Sequence, residues 1–97
     1  MPLDSIYTMK GVIVLKTEHS DKYMKLGLRI AYFRKMKGFT QEQLAEKLGK
    51  SAGYIGAVEA TNVERAISLD MLFDIADLLG VPAYKFLQFD DEETSTV

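Results

Sequence analysis

Hydrophobic positions along the chain follow two different rhythms. From Ile6 to Leu15 (IYTMKGVIVL) β-branched and aromatic residues run almost unbroken around Gly11, which predicts a strand or short hairpin arm. From about Tyr23 the spacing changes to threes and fours. Leu26, Ile30 and Phe33 predict a first helix over residues 23–37. Leu44, Ala45 and Leu48 predict a second helix, and Ile55 and Val58 a third. Leu69, Leu72, Ile75, Ala76 and Leu79 form the core stripe expected of a fourth helix, and Tyr84, Phe86 and Phe89 belong to a short fifth. Met71, Phe73 and Leu78 exceed what one buried stripe requires. With the aromatic residues of the fifth helix they predict either a partner surface or a cover for the N-terminal arm.

The residues between the stripes set the helix ends. Thr40 followed by Gln43 is a capping box, in which each side chain satisfies the other residue's backbone N–H. Gly49 stands where the chain turns with φ > 0, and Ser51 caps the next helix. Ser68 and Gly80 bracket the fourth helix in the same way. Ala45 is small where two helices cross close to a tight turn, which leaves no room for a branched side chain.

This central run, Thr40 to Glu59 (TQEQLAEKLGKSAGYIGAVE), resembles the helix-turn-helix of the Cro/C1-type (XRE-like) DNA-binding family. The likeness rests on Thr40-Gln41-Glu42, Leu44-Ala45, Leu48-Gly49, Ser51, Tyr54-Ile55 and Glu59. It extends to Leu26, Ile30, Arg34 and Gly38 before the motif, and to Ser68-Leu69, Leu72, Ala76, Leu79-Gly80-Val81 and Leu87 after it. The resemblance implies an all-α, five-helix, lambda-repressor-like DNA-binding domain over residues 23–89. Residues 1–22 form an N-terminal extension with the predicted strand, and residues 90–97 an acidic tail expected to be disordered.

Charge refines the expectation. The 97-residue chain has a net charge of −2. Residues 24–87 carry nine Lys/Arg against seven Asp/Glu, or +2, residues 1–23 balance, and Asp90, Asp91, Glu92 and Glu93 give the tail −4. The helical part is therefore mildly basic, which permits a nucleic-acid partner. There is no cysteine, hence no disulfide framework and no thiolate zinc site. No apolar run reaches membrane-span length and no secretion signal is evident, so a cytoplasmic protein without membrane association is expected. His19, the single histidine, lies in the polar stretch TEHSDK without companion ligands, and reads as a solvated residue. No catalytic group, metal site, cofactor site or small-molecule site is expected: the chain lacks a phosphate loop and any spaced carboxylate pair beyond Asp70, Asp74 and Asp77, read as a solvated face.

The resemblance also implies roles for individual residues. Arg34 would pair with Glu59, a guanidinium fork against a carboxylate at a helix crossing. The start of helix 2 would hold a phosphate with Gln41, helped by Thr40, Lys50, Ser51, Asn62 and Arg65. Helix 3 would enter the major groove of double-stranded DNA and present Ala52, Gly53, Tyr54, Gly56 and Ala57. Here the chain departs from its relatives, which usually place Gln, Arg, Ser, Lys or Asn at such positions. Ala and Gly make no bidentate bond to a base, each worth roughly 1–3 kcal/mol of discrimination.

Two functions follow. One is a dimeric, sequence-specific transcriptional regulator on a pseudo-palindromic operator, reading thymine methyls, DNA shape and half-site spacing. The other is a protein-interaction module, an antirepressor or assembly partner, that keeps the fold without base readout. The N-terminal run likewise leaves two readings: a strand exchanged across a two-fold axis, or a loosely packed extension.

Overall fold

The structure, a computed structural model, describes residues 6–9, 12–15, 19–61 and 66–89. Near the N-terminus two strands, β1 (Ile6–Met9) and β2 (Val12–Leu15), pair antiparallel with Ile6 opposite Leu15 and Met9 opposite Val12. The apolar run is thus two short strands that meet each other. Four α-helices follow: α1 (Ser20–Met36), α2 (Gln41–Leu48), α3 (Ala52–Glu59) and α4 (Leu69–Leu79). The acidic tail, together with Asn62 and Arg65, lies outside the described residues.

Local chemistry accounts for the helix ends. The Thr40 hydroxyl accepts from the Gln43 N–H at 3.0 Å while Gln43 Oε1 accepts from the Thr40 N–H at 2.9 Å, closing the capping box. Ser51 and Ser68 hydroxyls accept from the Tyr54 and Met71 N–H groups. Gly49 and Gly80 end α2 and α4 at φ of 70° and 67°, a conformation glycine adopts without a Cβ penalty. α1 starts at Ser20, ahead of the expected Tyr23, with Asp21 in its first turn where the helix dipole favours negative charge.

The core lies where the four helices meet. Ile30, Leu44, Ile55 and Ile75 are fully enclosed, one from each helix, and Leu26, Phe33, Val58, Leu72 and Leu79 surround them. Three expectations change. The fifth element is a 3-10 helix, Ala83–Leu87, not an α-helix; it begins after Pro82 and spans too few residues for further turns. Its Phe86 is fully buried, with its ring centroid 4.9 Å from that of Phe33, so this residue belongs to the core and not to a partner surface. Leu69, expected in the core stripe, is 63% exposed, because it opens α4 at the edge of a groove instead of under the other helices.

Candidate nucleic-acid interface

α3 is held from behind by the core and by one polar cluster. Ile55 and Val58 anchor it, and Glu59 at its end is buried with Arg34 of α1. Arg34 Nε donates to Glu59 Oε2 at 2.6 Å and Nη2 to Oε1 at 2.9 Å. Nη1 donates to the Phe39 carbonyl at 2.7 Å, fixing the chain just before α2. The Gln41 amide then donates to Glu59 Oε1 at 2.9 Å. Four residues from α1, the turn, α2 and α3 thus share one network. The pairing and the added hydrogen bonds offset the cost of taking this carboxylate out of water, and the geometry of a guanidinium fork fixes the orientation of both helices.

The sequence did not reveal the second fastener. A Cβ built on Gly27 would lie 2.2 Å from the Val58 carbonyl oxygen, so α1 and α3 cross with backbone nearly against backbone. The only sequence signal was a lone glycine inside an amphipathic helix.

The front of α3 faces outward. Gly53 is exposed; Ala52, Gly56 and Ala57 are half-buried. Neither glycine is crowded: the nearest atom to a Cβ at Gly53 would be Ser51 Oγ at 3.8 Å, and at Gly56 it would be Gln41 Oε1 at 3.6 Å. Tyr54 is half-buried against the core, with Lys50 Nζ 5.4 Å from its ring centroid, a cation–π distance. Among the expected phosphate contacts, Thr40 and Ser51 spend their hydroxyls on caps, and Gln41 turns its amide toward Glu59. The structure therefore groups Thr40, Gln41, Lys50 and Ser51 around the α2 and α3 starts, beside a smooth α3 surface. Among the described residues no cluster of three or more His, Cys, Asp or Glu is arranged to hold a metal, and no helix is long and apolar enough to cross a membrane.

A helix-turn-helix family model matches residues 30–86, from the middle of α1 to the last turn. The chain belongs to the Cro/C1-type helix-turn-helix family. Within that family it is 44% identical over 57 residues to the uncharacterized HTH-type transcriptional regulator YazB of Bacillus subtilis, covering 59% of this chain and 80% of YazB. The restriction-modification controller protein C.AhdI from Aeromonas hydrophila superposes with a TM-score of 0.65 at 30% identity, over 72% of this chain and 99% of C.AhdI. The biofilm master regulator SinR, solved in complex with DNA, superposes with a TM-score of 0.58 at 32% identity, over 64% of this chain and 97% of SinR. Each match leaves part of this chain uncovered, and the family match begins after the hairpin and the first half of α1.

Proposed function

We propose that this chain is a DNA-binding transcriptional regulator that binds as a homodimer to a pseudo-palindromic site, with half-sites roughly 34 Å apart. The observation that carries the reading is the α2–α3 pair: α3 is locked from behind by the Arg34–Glu59 fork while its outward side stays open. A family relative of the same fold, SinR, has been solved on DNA. In this reading α3 lies in the major groove and α2 crosses the backbone. The N–H groups at the start of α2 face a phosphate, with Thr40, Gln41, Lys50 and Ser51 beside them, and Asn62 and Arg65 serve the following connection. Ala52, Gly53, Tyr54, Gly56 and Ala57 meet the groove. Without bidentate side chains among them, discrimination comes from thymine methyl contacts, groove shape and half-site spacing.

The Ala/Gly surface of α3 also motivates a second reading, a protein-interaction module without base readout. Fluorescence anisotropy on random and genomic duplexes at several salt concentrations separates the two. A regulator gives a preferred duplex and a steep salt dependence, about −0.9 in log–log slope per phosphate neutralised. Absence of binding to every duplex at low salt overturns the regulator and favours the module.

A further inference from the structure

Two helices carry exposed faces that the proposed DNA contact leaves unused, and the two faces are opposite in charge. On α1, the spacing of Lys25, Leu28, Tyr32, Lys35 and Met36 places them on one side of the helix. Leu28, Tyr32 and Met36 are 51%, 55% and 55% exposed, and no acidic residue follows Asp21 in this helix. On α4, Asp70, Phe73, Asp74, Asp77 and Leu78 share a side in the same way. Phe73 and Leu78 are exposed beside the carboxylates, and α4 holds no basic residue. None of the three aspartates makes an ion pair with a described residue. A shallow groove of about 240 Å³, lined by Lys47, Leu48, Asp74, Asp77 and Leu78, indents this side of the molecule.

Exposed apolar residues that adjoin one another within a charged rim mark a contact surface, unlike single ones scattered over a protein. Charge then selects what each face meets. Two α4 faces brought together would set three carboxylates against three, and two α1 faces would set Lys25 and Lys35 against their own copies. Both pairings are repelled, whereas unlike faces attract. A duplex would suit the α1 lysines but would leave Leu28, Tyr32 and Met36 against phosphate. The unlike faces also match in length. From Lys25 to Met36 the α1 face runs roughly 16 Å, and from Asp70 to Leu78 the α4 face runs roughly 12 Å, at about 1.5 Å per residue.

We infer that the α1 face of one copy docks on the α4 face of a second copy, apolar residues against apolar residues, with Lys25 and Lys35 set against the aspartates. The contact joins unlike surfaces, and every copy carries one of each kind, which makes the arrangement heterologous. The inference goes beyond the proposed function by adding a surface that joins copies. It does not rest on DNA binding, since none of these residues is in the group proposed to meet the groove or the phosphates.

Sedimentation of the full chain without DNA, over a range of protein and salt concentrations, tests it. Wild type should self-associate, and less so as salt rises. One variant carries Lys25→Glu and Lys35→Glu together, the other Asp74→Lys and Asp77→Lys. Each should self-associate about tenfold or more weakly than wild type. Mixed in equal amounts, the two should recover the wild-type strength, because each reversed face then meets its complement. Phe73→Ala, at an exposed position outside the core, should also weaken association with little change in melting temperature. That readout survives if a charge variant fails to fold. A wild type that stays monomeric throughout overturns the inference, as do variants that associate as tightly as wild type or a mixture that stays weak. Loss of duplex binding on reversing Lys25 and Lys35, with self-association intact, overturns it too and assigns the α1 face to nucleic acid. Recovery in the mixture, from a chain that binds no duplex, removes the regulator reading and leaves this surface standing.

Discussion

Arg34 and Glu59, 25 positions apart in sequence, meet as a buried two-pronged fork at 2.6 and 2.9 Å, and that fork joins α1 to the end of the helix proposed to read DNA. Removing Arg34 leaves the Glu59 carboxylate buried with only the Gln41 amide. Breaking a buried pair in this way costs about 3–5 kcal/mol. For a domain of this size each kcal/mol shifts the midpoint by roughly 4–8 °C. Arg34→Ala should therefore lower the melting temperature, followed by far-UV circular dichroism, by roughly 12–40 °C. Arg34→Lys, which keeps the charge but loses the fork, should fall between. An unchanged midpoint for Arg34→Ala would remove the fork from the account of stability.

Gln41 stands at the junction of fold and proposed function. Its amide holds Glu59 at 2.9 Å, and its backbone opens α2. Gln41→Ala should cost about 1 kcal/mol in stability, one hydrogen bond's net contribution. It should weaken binding to specific and random duplexes by the same factor, since phosphate contacts carry no sequence information. A loss confined to the preferred duplex would instead make Gln41 a base-reading residue.

Gly27 and Gly53 should respond to alanine in opposite directions. At Gly27 the added methyl meets the Val58 carbonyl oxygen, a backbone atom that cannot swing away, so α3 must move. Gly27→Ala should destabilise by about 1–3 kcal/mol or more, as overpacking does, and should weaken DNA binding at a distance. At Gly53 the methyl enters open space on an exposed helix, and Gly53→Ala should stabilise by up to about 1 kcal/mol. Chemical denaturation of the two variants measures both signs.

The same Gly53 variant, paired with Gly56→Ala, asks why α3 has two glycines where the fold does not require them. If they let a DNA backbone approach closely, the doubly substituted chain should melt higher than the parent yet bind its preferred duplex several-fold less tightly. Higher stability with unchanged affinity would show that the glycines play no part at the interface.

What the sequence disclosed was mostly local. Caps at Thr40, Ser51 and Ser68 and left-handed stops at Gly49 and Gly80 depend on residues within one turn, and they stand in the structure where the pattern put them. Relationships between distant segments were harder. Periodicity assigns Leu69 to the α4 stripe, but cannot tell that the stripe's first member lies at an open groove. Phe86 looks like surplus aromatic surface until Phe33 arrives beside it from α1. Gly27 gives no hint of the carbonyl it accommodates. In the candidate site, the residue types of α3 were plain from the start, whereas the turn of Gln41 toward Glu59 depends on three helices meeting, which no spacing rule encodes.

The seclusion of the Arg34–Glu59 fork separates two responses to ionic strength. Mobile ions screen charges at the surface within roughly 10 Å at 0.1 M, but reach an enclosed pair far less. In the proposed complex, added salt should thus dislodge the duplex from Lys50 and the backbone N–H groups at the start of α2 while the joint behind them keeps its shape. A molecule released in that way stays folded, and lowering the salt at constant protein and duplex concentration restores the bound state with no refolding delay.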